Sequence, residues 1–115
     1  MSRARNNRGA IKTEYRGVMY DSKSEANFAR HLDARVRAGE IKGWEGQVRV
    51  ALIVNGAKVC TMIPDFLVTH NNGKKEYIEV KGYQTPIYKL KFKLFHALFP
   101  EAWYTLVGAK QALAL

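Results

Sequence analysis

The sequence contains little of several features that would each assign it to a class of protein. It has one cysteine in 115 residues, Cys60, so no disulfide can form within the chain and a cysteine-based zinc site is close to excluded. No apolar stretch approaches the roughly 20 residues that a membrane-spanning helix needs, and the first residues lack the apolar run of a secretory signal. The motifs G-x-x-x-x-G-K-[ST] and G-x-G-x-x-G are both missing, which leaves no support for ATP or NAD. We therefore expect a soluble cytoplasmic protein without a membrane partner.

Acidic residues are also few. The chain has 10 Asp and Glu against 19 Lys and Arg, which gives a formal net charge of +9. The basic residues form two separate segments, one within the first sixteen residues and one at 89–93. Two such segments fit an extended polyanion, such as a nucleic acid, better than a compact ligand, although a basic protein with a solvated surface would show the same charge. The candidate nucleic-acid contacts are Arg3, Arg5, Arg8, Lys23, Gln84, Lys89 and Lys93.

The order of the predicted elements indicates one domain behind a basic arm. Residues 1–12 are polar and aperiodic, which is typical of a flexible arm, and residues 13–115 form the single domain. After a short ribbon at 14–20 we expect a helix, three strands, a second helix and a last strand. This order predicts an α/β (α+β) fold with a central mixed sheet flanked by helices. The expected strands are 47–54, 58–68 with a break at Pro64, 76–81 and 103–107.

The segment 87–99 fits either a strand or a helix. Its apolar residues alternate with lysines as they would in a strand, but it is long for a strand. Thr85-Pro86 is typical of a helix start, so we favour a helix. Helical spacing then places Lys89, Lys93 and His96 on one stripe. It turns four aliphatic side chains toward the sheet, namely Ile87, Leu90, Leu94 and Leu98.

Two carboxylates are predicted to face each other across a hairpin. If Asn71-Asn72-Gly73 is a three-residue loop with Gly73 in the left-handed conformation, Asp65 lies opposite Glu79. Cross-strand partners are about 5 Å apart at Cβ, so the two acids repel each other unless a cation lies between them. Lys81 projects from the same face as Glu79. Mg²⁺ is the expected cation, because it binds through one or two carboxylates together with waters and phosphate oxygens.

These residues resemble a known group of enzymes. Pro64-Asp65 followed by Glu79-x-Lys81 is similar to the motif of the PD-(D/E)XK nuclease superfamily, whose core has the same α-β-β-β-α-β order. The run G-x-x-Y-D-S-K-x-E-A at 17–26 resembles small phage-encoded proteins regarded as endonucleases or Holliday-junction resolvases. The resemblance implies a restriction-endonuclease-like core. It also implies a metal-dependent endonuclease selective for branched or nicked DNA, which processes or recombines phage DNA as a homodimer in the host cytoplasm.

The same resemblance implies a role for each site residue. Asp65 and Glu79 are the expected metal-binding carboxylates, with the Val80 carbonyl as a third protein ligand. Lys81 is the expected lysine that positions or deprotonates the attacking water. Glu25 is the expected acid from the first helix, which completes the metal site. Mg²⁺ is the implied cofactor, and Mn²⁺ is the implied substitute.

Other interpretations of these residues stay open at the level of sequence. Ser22 and Glu25 have the S-x-x-E spacing of a capping box, in which Glu25 needs no metal. Asp65 also fits a turn at a strand end, with Glu79 and Lys81 on an exposed strand face. A non-catalytic nucleic-acid-binding module on the same fold, or an RNA-processing factor, would share the charge pattern. The complete set of two acids and a lysine favours the enzyme.

Overall fold

A computed structural model of the protein describes residues 10–115. The predicted arm therefore lies mostly outside the described residues, together with Arg3, Arg5 and Arg8. No helix of the described part is long and apolar enough to cross a membrane. The strands are β1 (Thr13–Tyr15), β2 (Val18–Tyr20), β3 (Gly43–Gly46), β4 (Val50–Val54), β5 (Ala57–Met62), β6 (Phe66–Thr69), β7 (Lys75–Lys81) and β8 (Trp103–Gly108). The helices are α1 (Lys23–Arg37), α2 (Pro86–Leu98) and α3 (Ala109–Leu113).

The fold is α+β, with a mixed sheet and helices. The main sheet has four strands in the order β3-β6-β7-β8, and only the β7–β8 pair is parallel. β1 with β2 and β4 with β5 form two separate two-stranded ribbons. The β4–β5 ribbon is inserted in the chain between β3 and β6.

The first strand of the sheet is not the one expected from the sequence. The expected strand 47–54 shortens to β4 and belongs to the ribbon, whereas β3 takes its place in the sheet. β3 reads GWEG, and two glycines in four residues give it little strand propensity of its own. It is a strand because Trp44 pairs with Val68 of β6 and its indole packs against Phe66. The predicted break at Pro64 is confirmed, since β5 ends before it and β6 begins after it.

Helix α1 covers one face of the sheet. Ser22 is its N-cap, and the Ser22 side chain accepts a hydrogen bond from the Glu25 backbone N–H at 3.1 Å. The buried stripe of the helix consists of Ala26, Phe28, Ala29 and Leu32, which pack against Phe66, Val68, Ile78 and Val80 of the sheet. This packing places the first turn of α1, and with it Glu25, beside the end of the sheet.

Asp33 fixes α1 to the elements around it. Its carboxylate accepts hydrogen bonds from the Tyr15 hydroxyl at 2.6 Å and from the Trp44 indole at 2.9 Å. The Arg16 guanidinium adds an ion pair at 3.3 Å. Burial alone would raise the pKa of Asp33, but the three donors outweigh it and the pKa is lowered. One carboxylate thus joins the β1–β2 ribbon, α1 and β3.

Helix α2 covers the opposite face of the sheet. It packs against Tyr77, whereas α1 packs against Ile78, and successive residues of a strand point to opposite sides. The helix predicted for 87–99 is confirmed, with Thr85 as N-cap and Pro86 as its first residue. Its predicted orientation is wrong for Ile87 and Leu90, which are 63% and 66% exposed, whereas Leu94 and Leu98 pack against the buried cluster as predicted. The buried side instead carries aromatic rings: Phe95 with Tyr88 and Phe92, packed against Tyr77 and Tyr104. Aromatic rings bury more apolar area than aliphatic side chains, and this decides which side of the helix faces inward.

Candidate metal centre

The hairpin that carries the two acids has the predicted register. Phe66 pairs with Ile78, and Thr69 pairs with Lys75. Gly73 has φ +87°, and the His70 N–H donates to the Lys74 carbonyl at 2.8 Å across the base of the loop. Extending the register by one residue sets Asp65 opposite Glu79. The local chemistry of one turn therefore aligns two acids that are 14 positions apart in the chain.

Asp65 and Glu79 are held in different ways at the end of β7. The Asp65 carboxylate accepts a hydrogen bond from the Val80 backbone N–H at 2.8 Å. Glu79 Oε1 accepts one from the Tyr104 hydroxyl at 2.9 Å, and Glu79 Oε2 lies 3.5 Å from Lys81 Nζ. Both carboxylates are thus positioned by neighbours on β7 and β8, and Lys81 lies on the Glu79 side as predicted.

Glu25 joins this group from α1. The Ser22 side chain accepts its hydrogen bond from the Glu25 backbone N–H, so this bond leaves the Glu25 carboxyl free to interact elsewhere. The charges of Glu79 and Lys81 both act on the Glu25 carboxyl group, and the charge of Glu25 acts on Asp65. The Glu25 carboxyl also accepts a hydrogen bond from the Asp21 backbone N–H, just before the helix cap. The structure therefore brings three carboxyl groups and one ammonium together from two strands and a helix.

Burial dominates the electrostatics of the three acids. It raises the pKa of Asp65 to about 8, and the charges of Glu79 and Glu25 add to the effect against the Val80 N–H and Lys81. Burial likewise raises the pKa of Glu25 to about 7, with the charge of Asp21 as the next cause. The pKa of Glu79 is raised by burial, although Lys81 and the Tyr104 hydroxyl oppose the shift. Added positive charge would favour the ionised forms of all three.

The donors present suit a hard divalent ion. Carboxylate oxygens and a backbone carbonyl are the ligands that Mg²⁺ takes, and it commonly keeps several waters. Within residues 10–115 no group of three or more His, Cys, Asp or Glu side chains forms a ready-made metal cage. Mg²⁺ requires only one or two carboxylates. Asp65 and Glu79 with the Val80 carbonyl meet that requirement, and Glu25 lies beside them.

Two tyrosines belong to the site although the sequence did not mark them. Tyr104 donates to Glu79 from the parallel strand β8, and Lys81 Nζ lies 4.2 Å above the centre of the Tyr88 ring. That stacking holds the ammonium close to the carboxylates. The sequence around Tyr104 does not indicate this role, because only the pairing of β8 with β7 places Tyr104 within reach of Glu79.

A cleft of about 710 Å³ opens beside these residues. Lys23, Glu25, Lys81 and Tyr83 line it, so the first turn of α1 and the end of β7 form its two sides. Lys23 thus lines the same cleft as Glu25 and Lys81. The other described candidates for DNA binding do not line the cleft: Gln84 is half-buried, and Lys89 and Lys93 are exposed on α2.

Comparison with known proteins assigns a family without a function. The chain belongs to the family described as "Protein of unknown function (DUF1064)", which it matches over residues 5–111. The comparison with curated proteins and that with solved structures found no match. The chemistry of the site is therefore argued from its geometry.

The raised pKa values predict that the metal-free protein loses stability as the pH rises from about 5 to 8.5. In the unfolded chain these acids ionise near their ordinary pKa values, whereas the folded state keeps Glu25 protonated up to about 7 and Asp65 up to about 8. The folded state then binds more protons over this range, so stability falls with increasing pH. Urea unfolding in EDTA at pH 5.5, 7.0 and 8.5 measures the effect.

Asp65→Asn keeps an acceptor for the Val80 N–H but cannot ionise. We expect it to be more stable than the wild type at pH 8.5 by about 1 kcal/mol or more, and close to it at pH 5.5. Mg²⁺ should stabilise the wild type more at pH 8.5 than at pH 5.5. Glu40→Gln, at a side chain that is 59% exposed, is the matched control and should follow the wild type. If the free energy of unfolding of the wild type rose relative to that of Asp65→Asn as the pH increased, the raised pKa of Asp65 would be contradicted.

Proposed function

We propose that this protein is a divalent-metal-dependent DNA endonuclease that hydrolyses phosphodiester bonds in branched or nicked DNA. The observation that carries the proposal is the convergence of Asp65, Glu79 and Lys81, joined by Glu25, beside an open cleft lined by Lys23. Acids that repel one another destabilise a fold, and titratable groups in such surroundings are typical of functional sites. A reaction that depends on a bound cation would account for their proximity.

The order of elements around the sheet supports a restriction-endonuclease-like core. The helix and strands that build the sheet follow the sequence α1-β3-β6-β7-α2-β8, which is the α-β-β-β-α-β order of that core. The acids and the lysine occupy the start of β6 and the end of β7, where the PD-(D/E)XK motif places its own. The β4–β5 ribbon is then an insertion between the first and second strands.

The residues divide the work of phosphodiester hydrolysis. Asp65, Glu79 and the Val80 carbonyl would hold Mg²⁺ or Mn²⁺, and Glu25 would complete the shell. An ion held there would lower the pKa of a bound water and place positive charge next to the phosphate. Lys81 places its ammonium 3.5 Å from Glu79, where it can orient the attacking water and stabilise the charge that develops on the phosphate oxygens. By the resemblance to the PD-(D/E)XK nucleases, hydrolysis would leave a 5′ phosphate on the product.

The surroundings of the site fit a polyanion. Lys23 lies within the cleft, where it can contact a phosphate. Lys89 and Lys93 are exposed on α2, the helix whose Tyr88 contacts Lys81. Arg3, Arg5 and Arg8 would extend the contact along the DNA backbone, and Gln84 lies at the turn into α2. One such site cuts one strand, so we propose a homodimer, acting in the cytoplasm of the host cell.

Cleavage of a supercoiled plasmid tests the proposal. The wild type should nick it with Mg²⁺ or Mn²⁺ and leave it intact in EDTA. Asp65→Asn and Glu79→Gln should each lower the rate more than about 100-fold, because they remove a proposed ligand while preserving shape. Glu45→Gln, an exposed carboxylate on β3, is the control and should cut like the wild type. A panel of linear, nicked, flapped and four-way DNA, with an RNA duplex beside it, identifies the substrate.

Wild-type rates in both site variants would contradict the metal assignment. DNA binding without cleavage under any metal would instead indicate a non-catalytic binding module, and preferred cleavage of the RNA would indicate an RNA-processing factor.

Glu25→Gln separates the two roles that the sequence allowed for this residue. The helix cap should survive, because Ser22 accepts from the backbone N–H, which Gln retains. If Glu25 contributes to the metal site, the variant should lose about tenfold in rate at limiting Mg²⁺ and recover part of it as Mg²⁺ is raised. Cleavage rates measured across a Mg²⁺ titration decide the question. Wild-type rates at limiting Mg²⁺, with unchanged stability, would assign Glu25 to the helix start alone.

Lys89→Ala with Lys93→Ala should weaken binding to all duplex sequences alike. Each lysine that meets a phosphate adds close to one unit to the slope of log affinity against log salt, so the double variant should flatten the slope by about two units. Fluorescence anisotropy with Ca²⁺ in place of Mg²⁺ measures binding. Lys42→Ala with Lys74→Ala, which removes two exposed charges elsewhere on the molecule, is the matched control. An unchanged slope in the Lys89/Lys93 variant would mean that this side of α2 does not meet DNA.

A further inference from the structure

A second cavity, of about 260 Å³, lies on the Glu79 side of the site. It differs from the larger cleft, which is lined by Glu25 and Lys81, although both reach the end of β7. Its walls come from the end of the β4–β5 ribbon and from the first two turns of α2. Besides Glu79, its lining includes Met62, Ile63, Ile87, Tyr88 and Lys91.

The rim of this cavity is apolar and exposed on both sides. Ile63 is 40% exposed at the end of the ribbon, and Ile87 is 63% exposed at the start of α2. Met62 is buried below them. Single exposed aliphatic side chains are common, but here two of them flank one opening, and the opening includes a proposed metal ligand. The cavity therefore offers an apolar surface directly beside Glu79, where the proposed reaction would take place.

The polar groups of the cavity are held by neighbours. Lys91 donates to the Thr61 carbonyl at 3.2 Å, which holds its ammonium at the wall. The Tyr88 hydroxyl is buried beside the Tyr104 hydroxyl, which donates to Glu79. The Tyr88 ring thus forms a fixed wall next to a proposed metal ligand, and the Lys91 ammonium favours a nearby phosphate.

We propose that this cavity receives the base of an unpaired nucleotide next to the scissile phosphate. The inference rests on the proposed function and names its substrate class, namely DNA with an unpaired nucleotide at the cut. The cavity is slightly smaller than pockets for drug-sized ligands, about 300–1,000 Å³, which suits a single ring system. Isoleucine side chains are among those that insert between bases, so Ile63 and Ile87 are fitted to grip its two faces.

The proposal explains how a small domain selects DNA structure. Extruding a base from an intact duplex costs a few kcal/mol, whereas a base at a branch, bulge or flap is already unpaired. Only the second kind of base enters the cavity at little cost. The aliphatic rim contacts every base alike, so the selection concerns structure and carries little sequence preference.

The position of the cut is first mapped with the wild-type protein. The test then uses a DNA duplex with one unpaired nucleotide at that position. In one arm that nucleotide is 2-aminopurine, and binding is measured with Ca²⁺ in place of Mg²⁺. In the other arm it is an abasic residue, and cleavage is measured with Mg²⁺. The test variants are Ile63→Ser and Ile87→Ser, and Leu90→Ser, which is 66% exposed on the same helix outside the cavity, is the matched control.

Wild type and Leu90→Ser should raise the 2-aminopurine fluorescence as the base leaves its stack. Both should cut the abasic substrate about tenfold more slowly than the same duplex with a base at the unpaired position. Ile63→Ser and Ile87→Ser should show neither response while unfolding at the same urea concentration as the control. Cleavage that is indifferent to the abasic residue, or a fluorescence change retained in both isoleucine variants, overturns the cavity assignment alone. Absence of wild-type cleavage on every DNA overturns the proposed function and this inference with it.

Discussion

The structure depends on one electrostatic constraint, which is the gathering of one buried and two half-buried carboxyl groups around a single ammonium. Asp65, Glu79 and Glu25 come from three elements, and Lys81 alone opposes them within the group. Burial of a charge is costly unless it is compensated, and one cation cannot compensate three anions. Burial and mutual repulsion therefore raise the pKa values of these acids, and a divalent ion between them would favour their ionised forms. The rest of the architecture can be understood as what keeps the acids together despite this cost.

Three separate interactions supply that restraint. The β6–β7 register sets Asp65 opposite Glu79, and the Val80 N–H holds the Asp65 carboxylate in place. The Tyr104 hydroxyl does the same for Glu79 from the neighbouring parallel strand. Asp33 fixes α1, and so the position of Glu25, through its bonds to Tyr15 and Trp44. Each restraint originates outside the acidic group, so its members can be unfavourable to one another without the fold being lost.

The parts of the fold that local chemistry determines could be predicted from the sequence. The hairpin register follows from the loop and from Gly73, and the starts of α1 and α2 follow from Ser22 and Thr85 as caps. These signals act over a few residues, so they persist in any tertiary context. They were sufficient to bring Asp65, Glu79 and Lys81 to one place, since only the hairpin joins them.

The parts that depend on distant partners could not be predicted. β3 is a strand only because Trp44 finds Phe66 and Val68 across the sheet. The inward side of α2 is chosen by competition between aromatic and aliphatic stripes, which periodicity alone cannot decide because both stripes repeat at helical spacing. Tyr104 reaches Glu79 only through the parallel pairing of β7 with β8. The second cavity could not be predicted either, because it forms where the β4–β5 ribbon meets α2, whereas the sequence predicts the strand 47–54 as part of the sheet.

The orientation of the first turns of α2 bears directly on the proposed substrate. With its aromatic side buried, the helix sets the Tyr88 ring under Lys81 and leaves Ile87 outside, beside Ile63. The opposite orientation would have buried both aliphatic side chains against the sheet and left the lysine without its aromatic support. Burying the rings of one helix thus does two things at once: it positions the ammonium over the acids, and it leaves an apolar opening on the other side of Glu79. A phosphate held between these two clefts would have its charge facing Lys81 and an adjacent base facing Ile63 and Ile87, which is the arrangement that a cut beside an unpaired nucleotide requires.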